Sequence, residues 1–304
     1  MSQLIDAGVR FFTAPSVPAA AFHIARGYLG GLRRPGKAGS AKSSVFRTLP
    51  AGMIEPSFEK RNIARPEPFR SALKDAASRL GSPDGPIALL LPETCVKTAL
   101  LTFDALPSAS AECERIVRWR LAKTLPLRPG ETRLSFDVLR SNGRAKAFCV
   151  LALEAVVQEY EQAFAQAGLK VRMIGLPTVQ LLGCLPRNGG SNFLVVNVEE
   201  DHIAALAVLE GETALFRVKP LTAGDVWAEA ADEVATTLRF LEEREKKRID
   251  AVWVRPAAAG PAEDGWTLLQ KRTACPVRMI AGEEMTGIPP AEKIFLASLW
   301  GQMS

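Results

Sequence analysis

The feature that most constrains this chain is a pattern that occurs twice. Apolar strands joined as a hairpin lead into a helix, once over residues 21–80 and again over 193–241. In the first copy, Ala21–Leu32 is broken by Gly27 and Gly30-Gly31, as a short hairpin requires, and Ser44–Leu49 supplies the next strand. Phe69, Leu73, Ala76 and Leu80 then recur at helical spacing, Gly81-Ser82-Pro83 stops that helix, and Ile87–Leu91 is a strand buried on both faces. In the second copy Phe193–Val198 is a buried strand. His202–Leu209 and Thr213–Val218 flank a turn at Glu210-Gly211-Glu212, and Trp227, Ala230, Val234, Leu238 and Leu241 mark a long helix. Ala251–Val254 and Val277–Ile280 are further strands, Trp266–Gln270 is helical, and the last helix, Glu292–Trp300, is apolar on most sides and therefore buried. Such a repeat predicts two similar lobes.

Between the copies lies a different module. Thr98–Phe103 is a strand, and Ser110 caps a helix that runs to Thr124 with Val117, Leu121 and Leu125 on one stripe. Leu134, Phe136 and Val138 alternate toward Ser141-Asn142-Gly143, a hairpin turn, and Phe148, Val150 and Ala152 alternate on the return. A helix with Val157, Tyr160 and Phe164 on one face ends at Gly168, and Val171–Ile174 is the fourth strand of this α+β module. Residues 177–186 form a short helix. The expected organisation is an N-terminal arm at 1–17, a first lobe at 18–97 and 175–190, an inserted subdomain at 98–174, and a second, reduced lobe at 191–304.

Composition removes several function classes. Lys+Arg 38 against Asp+Glu 33 gives a formal charge of +5, too mild for a nucleic-acid-binding face. The five cysteines are widely spaced with no CxxC, and the two histidines, His23 and His202, lack partners at ligand spacing, so neither a disulfide framework nor a metal site is expected. The longest uncharged windows, Phe11–Ala25 and Met173–Pro186, are too short to span a bilayer and each holds two prolines, so a cytoplasmic protein is expected. No G-x-S-x-G stands in the chain, and two isolated histidines do not build a nucleophilic triad. Gly31-Leu32-Arg33-Arg34-Pro35-Gly36-Lys37-Ala38 fits GxxxxGK but has Ala where a phosphate loop needs Ser or Thr, so Arg33–Lys42 is a basic surface turn. His23 is expected as a strand histidine with local hydrogen bonds. Glu242–Arg248 is a solvated helix end with i,i+4 pairs Glu242–Lys246 and Glu243–Lys247.

The order of these elements resembles the type IV pilus assembly protein PilM family, actin-like proteins related to the cell-division protein FtsA. Leu49-Pro50-Ala51-Gly52-Met53-Ile54 is similar to that family's LPPGxI strand end. Ala21–Leu32 and Phe193–Val218 stand where it has its two phosphate hairpins, and Leu106-Pro107 and Ala167–Val171 resemble the limits of its inserted subdomain. The resemblance implies an α/β (α+β), ribonuclease H-like, actin-like fold of two lobes with a small inserted subdomain, and ATP held between the lobes by glycine-bearing hairpins, an aspartate holding the metal through water. The motif residues differ here: Asp-x-Gly is matched by His23-Ile24-Ala25 and by Asn197-Val198-Glu199, and Pro256 replaces an amide donor in the loop Arg255–Gly260. Three carboxylates, Glu199, Glu200 and Asp201, would face a triphosphate. His23, Ala25, Asn197 and Glu199 thus mark a degenerate nucleotide site, with no ATP or magnesium expected.

The resemblance further implies a cytoplasmic scaffold peripheral to the inner membrane. It would bind the cytoplasmic tail of a PilN-like membrane protein between the first lobe and the inserted module, by apolar pockets and strand pairing, and touch the membrane only through partners, other pilus assembly proteins among them. Arg115, Arg118 and Trp119 are the expected docking residues, since Arg and Trp are favoured interface anchors. The alternatives are an active actin-like ATPase with displaced motifs, and a relative of the cytoplasmic part of the type II secretion protein GspL, ranked lower because a membrane helix is expected there.

Overall fold

The structure, a computed structural model, describes residues 18–34, 43–125, 130–141, 144–186, 190–221, 224–258, 263–280, 282 and 285–303. The arm at 1–17, most of the basic turn, Pro126-Leu127, Asn142-Gly143 and Ala259-Gly260 lie outside them. Two five-stranded sheets repeat one plan. In the first, β1 (Ala20–Ile24), β2 (Tyr28–Arg33) and β3 (Ser43–Thr48) form an antiparallel meander, and β4 (Pro86–Leu90) joins β1 in parallel. β5 (Val96–Phe103), β6 (Thr132–Ser141) and β7 (Arg144–Leu153) make a separate three-stranded sheet, ordered β5-β7-β6. β8 (Lys170–Gly175) returns to pair in parallel with β4, giving the order β3-β2-β1-β4-β8. In the second lobe β9 (Phe193–Val198), β10 (His202–Leu209) and β11 (Glu212–Pro220) repeat the meander. β12 (Ala251–Pro256) and β13 (Val277–Met279) complete the order β11-β10-β9-β12-β13. The expected lobe duplication is present strand for strand.

Alternation fixes which faces these sheets bury. Phe22, Ile24, Leu29, Ile87 and Leu89 face α1 (Pro66–Arg79) and, after α2 (Ser110–Thr124), the helix α3 (Glu154–Gln166), where Phe69, Leu73, Tyr160 and Phe164 meet them. The opposite face, Ala21, Leu32, Ala88 and Leu90, lies on the final helix, Pro290–Met303, through Leu296 and Leu299. The second sheet covers its outer face with α5 (Val226–Phe240) and α6 (Glu263–Arg272), which follow the short α4 (Pro177–Gln180). Its inner residues, Val195, Leu206 and Trp253, pack with Leu181, Leu182 and Ala297. The final helix, α7, is thus held between the lobes. It sits so close to the Leu181–Cys184 turn that a Cβ at Gly301 would lie 1.9 Å from the Gln180 carbonyl oxygen, and only glycine fits.

Three local expectations change. β8 belongs to the first sheet rather than to the inserted one, and α3 packs on the first lobe, because Val156, Tyr160 and Phe164 complete the apolar cover of β1 and β4. Ser110 is the first residue inside α2 rather than its cap: Ala109 is extended, and its carbonyl accepts the first helical bond from Cys113. The charge run leaves the α-helix through a π-turn at Leu241–Glu245, and Lys246 is left-handed at φ 55°. That geometry moves the pairs, Lys247 bonding Glu210 and Arg248 bonding Glu242, so the i,i+4 spacing is not used. Around Asn142-Gly143, Ser141 pairs with Arg144, the register of a two-residue hairpin.

Candidate functional site

Two sites lie between elements, and they differ in kind. The first is the cleft between the lobes, where the hairpin turns of β1–β2 and β9–β10 face each other. Arg255, at the end of the buried strand β12, points into it. A guanidinium has five N–H donors, and all five are used. Nε bonds the Ile294 carbonyl at 2.7 Å, Nη1 bonds Asn197 Oδ1 at 2.8 Å and Glu199 Oε1 at 2.6 Å, and Nη2 bonds the Tyr28 hydroxyl at 2.7 Å and the Phe295 carbonyl at 3.0 Å. Tyr28, on the other lobe, donates its own proton to Glu199 Oε1 at 2.9 Å. Its phenol stays protonated because burial raises its pKa well above the usual value. Burial alone would lower the Arg255 pKa, but Tyr28 and Glu199 outweigh it and the charge is kept.

His23 closes this network from the first lobe, with Nδ1 3.3 Å from the Tyr28 hydroxyl and 3.2 Å from Ser298 Oγ of α7. Burial first, and then the Arg255 charge, hold its pKa well below 6.5, so it is neutral. The structure therefore brings His23, Asn197 and Glu199 into one network. Ala25 closes the hairpin turn beside them, through its N–H to the Tyr28 carbonyl at 2.9 Å. Tyr28, Arg255 and Ser298 were missed as members of the network. The available signal was a charged residue ending the apolar run Ala251–Val254, which needs a buried partner.

A second clasp joins the same lobes. Glu93 follows β4 and His202 opens β10; His202 Nε2 lies 2.9 Å from Glu93 Oε2 and Nδ1 lies 2.6 Å from Asp201 Oδ1. Burial alone would lower the His202 pKa, but these two carboxylates raise it to about 10, so the ring is charged and donates to both. Glu93 Oε1 also accepts the Thr178 N–H at 2.7 Å and its hydroxyl at 2.5 Å. Burial would raise the Glu93 pKa, yet His202 and Thr178 together bring it below the usual carboxylate value. Among the described residues no group of three or more His, Cys, Asp and Glu side chains is arranged to hold a metal ion.

The second site is a groove of about 250 Å³ between the first lobe and the three-stranded sheet. Its floor is apolar: Leu91 and Val96 flank Glu93, Val150 and Ala152 come from β7, Ile174 from the end of β8, and Leu176 from just after it. Its two walls are strand edges. β8 is the outer strand of the first sheet and β6 the outer strand of the inserted sheet, and Arg172 and Leu134-Ser135 line the groove from them. Arg133 of β6 bonds Glu154 Oε1 at 2.5 Å and Glu161 Oε1 at 2.6 Å, which ties β6 to α3. Phe148 and Val150 face this side of β7. The core of the inserted sheet is instead built on the other face, from Ala145, Ala147, Cys149 and Leu151 against α2.

The expected docking residues stand apart from the groove. Arg115, Arg118 and Trp119 project from α2, and none of them lines it. Trp119 is 56% exposed with Lys123 over its ring, Arg115 pairs with Glu112, and Arg118 bonds Glu114 and the Thr132 carbonyl. They sit on α2, on the far side of the inserted sheet, whose own core separates them from the groove.

The duplicated sheets, the helix held between the lobes and the inserted subdomain define an actin-like fold. Among solved structures, the chain is similar to a protein of the PilM-PilN type IV pilus biogenesis complex, with a TM-score of 0.77 at 16% identity over 95% of this chain and 100% of that one. It is also similar to a Bacteroides thetaiotaomicron protein with an actin-like ATPase fold, with a TM-score of 0.53 at 10% identity over 86% of this chain and 91% of that one. The cytoplasmic domain of EpsL, an inner membrane component of the type II secretion system of Vibrio cholerae, matches with a TM-score of 0.50 at 12% identity over 83% and 93% of the two chains. No family model matches the sequence, and no curated protein does. Among the described residues no helix is long and apolar enough to cross a membrane.

Proposed function

We propose that this chain is a non-catalytic scaffold of a type IV pilus or related secretion machine, and that it docks the cytoplasmic tail of a PilN-like inner-membrane protein in the groove. The observation that carries this reading is the pair of strand edges, β6 and β8, facing one apolar floor. An edge strand presents unpaired N–H and C=O groups. An extended tail can satisfy them by strand addition while alternate side chains enter the floor. The likeness to a protein of the PilM-PilN complex supports the choice of partner. The cleft does not bind ATP in this reading, because Arg255 has no donor left for a phosphate and the Glu199 and Glu200 carboxylates repel one. The chain then works in the cytoplasm and reaches the inner membrane through its partners, which include other pilus assembly proteins. The likeness to the EpsL cytoplasmic domain favours a second setting, a type II secretion machine, with the same mode of action.

Titration of synthetic N-terminal tails of PilN-like proteins into the full chain tests the reading: one tail binds at one site, and retention of none contradicts it. Mg-ATP leaves the melting temperature unchanged, since a ligand that bound the folded state would raise it.

A further inference from the structure

In the actin-like resemblance, the bound nucleotide is what the two hairpins share. Here the same hairpins meet through side chains. Glu199 of the second lobe accepts from Tyr28 of the first, Arg255 of the second lobe bonds that same Tyr28, and both hold α7 through Arg255 and His23. The turn of the first hairpin lies against the next carboxylate, so that a Cβ at Gly27 would be 2.6 Å from Glu200 Oε2. A phosphate chain placed there would meet two carboxylates and a guanidinium with every donor occupied. The residues present do not fit the group that the fold family implies.

We propose that the Arg255–Glu199–Tyr28 network is a built-in substitute for the nucleotide, an internal lock that holds the two lobes in one fixed relation with nothing bound between them. The cation and anion that a metal-nucleotide complex would bring are supplied by the chain itself, and both are buried, as is the phenol that bridges them. The His202–Glu93 clasp adds a second tie between the same lobes, with Thr178 as its third member. The lobes of this chain therefore do not open and close with a ligand, and the groove beside Glu93 is held permanently in its docking shape. This inference rests on the nucleotide-free reading of the cleft and is independent of tail binding.

Hydrogen–deuterium exchange on the full chain, with no tail present, tests it. In the wild type, the amides of residues 25–29 and 199–203 exchange at one slow rate that Mg-ATP at about 1 mM leaves unchanged. Tyr28→Phe deletes only the bridging hydroxyl and Arg255→Lys keeps the charge but loses the fork. Each raises exchange about tenfold in both segments together, while α2 stays at the wild-type rate. If Arg255→Lys fails to fold, Tyr28→Phe decides alone. Slowing of the two segments by Mg-ATP in the wild type overturns the lock. So does a Tyr28→Phe protein in which both segments keep the wild-type rate, or in which only one of them loosens. A negative result leaves the groove reading standing, and a chain that binds no tail leaves the lock standing.

Discussion

The cleft and the groove are both seams between folded units, yet their chemistry is opposite. The cleft is buried and polar, and its Arg255, Glu199 and Tyr28 are joined to one another across the lobes. The groove has an apolar floor, with strand edges on both sides. Buried charge tolerates only a complete set of partners, so a completed network resists a ligand. Apolar floor beside free backbone favours one. In an actin-like fold the cleft is the expected seat of function; in the reading proposed above that seat is filled by the chain's own side chains, and docking is assigned to the groove one seam away.

The sharpest way to break this contrast is to truncate each seam and measure stability. Arg255→Ala leaves Glu199 buried without its cation and lowers the unfolding free energy by about 3–5 kcal/mol in urea titrations. Ser135→Arg, on the exposed edge of β6 in the groove, changes it by about 0.5 kcal/mol or less. The effects exchange places when tail binding is measured. Ser135→Arg weakens it by about 2 kcal/mol, roughly thirtyfold, by isothermal titration.

The pH dependence of stability comes next in size. His202 has its folded pKa raised to about 10, so its contribution is complete below its unfolded value of about 6.5 and is lost as pH rises through about 10. His23 has its folded pKa lowered, so its contribution is present above about 6.5 and lost as pH falls. Glu93, also lowered, adds to the acid loss below the usual carboxylate value. Stability therefore peaks near the unfolded histidine value and falls on either side by at most about 1.4 kcal/mol per pH unit for each proton. His202→Gln removes the alkaline fall and His23→Gln the onset of the acid one, as followed by urea midpoints across pH. The smallest effect is at the exposed helix face: Trp119→Ala changes neither stability nor tail affinity by more than about 0.5 kcal/mol.

Local pattern made much of the fold legible. Hairpins, helix stripes and the doubled order follow from period-2 and period-3.6 apolar spacing, and Gly168 at φ 82° ends α3 as expected. Val171–Ile174 was legible as a strand but not as a member of the first sheet, because an apolar run carries no record of its partner. The cleft was half legible: His23, Asn197 and Glu199 could be placed by family order, whereas Tyr28 and Arg255 are 227 positions apart and meet only in the folded chain. The groove was legible in outline only. Its walls are the edges of two sheets, and an edge is defined by strand order, which the sequence does not state. Trp119 was legible as an aromatic between arginines, but its place on an exposed face of α2 away from the groove depends on how the inserted sheet packs, which local spacing does not record.

Amide chemical-shift mapping during titration of a PilN-like tail into the isotope-labelled chain tests the central claim most directly. The shifted amides are expected to follow β6 and β8 and the floor around Leu91, Val150 and Ile174, while those of Tyr28, Glu199 and Arg255 stay in place. Shifts gathered on those three cleft residues, with the groove silent, would contradict it.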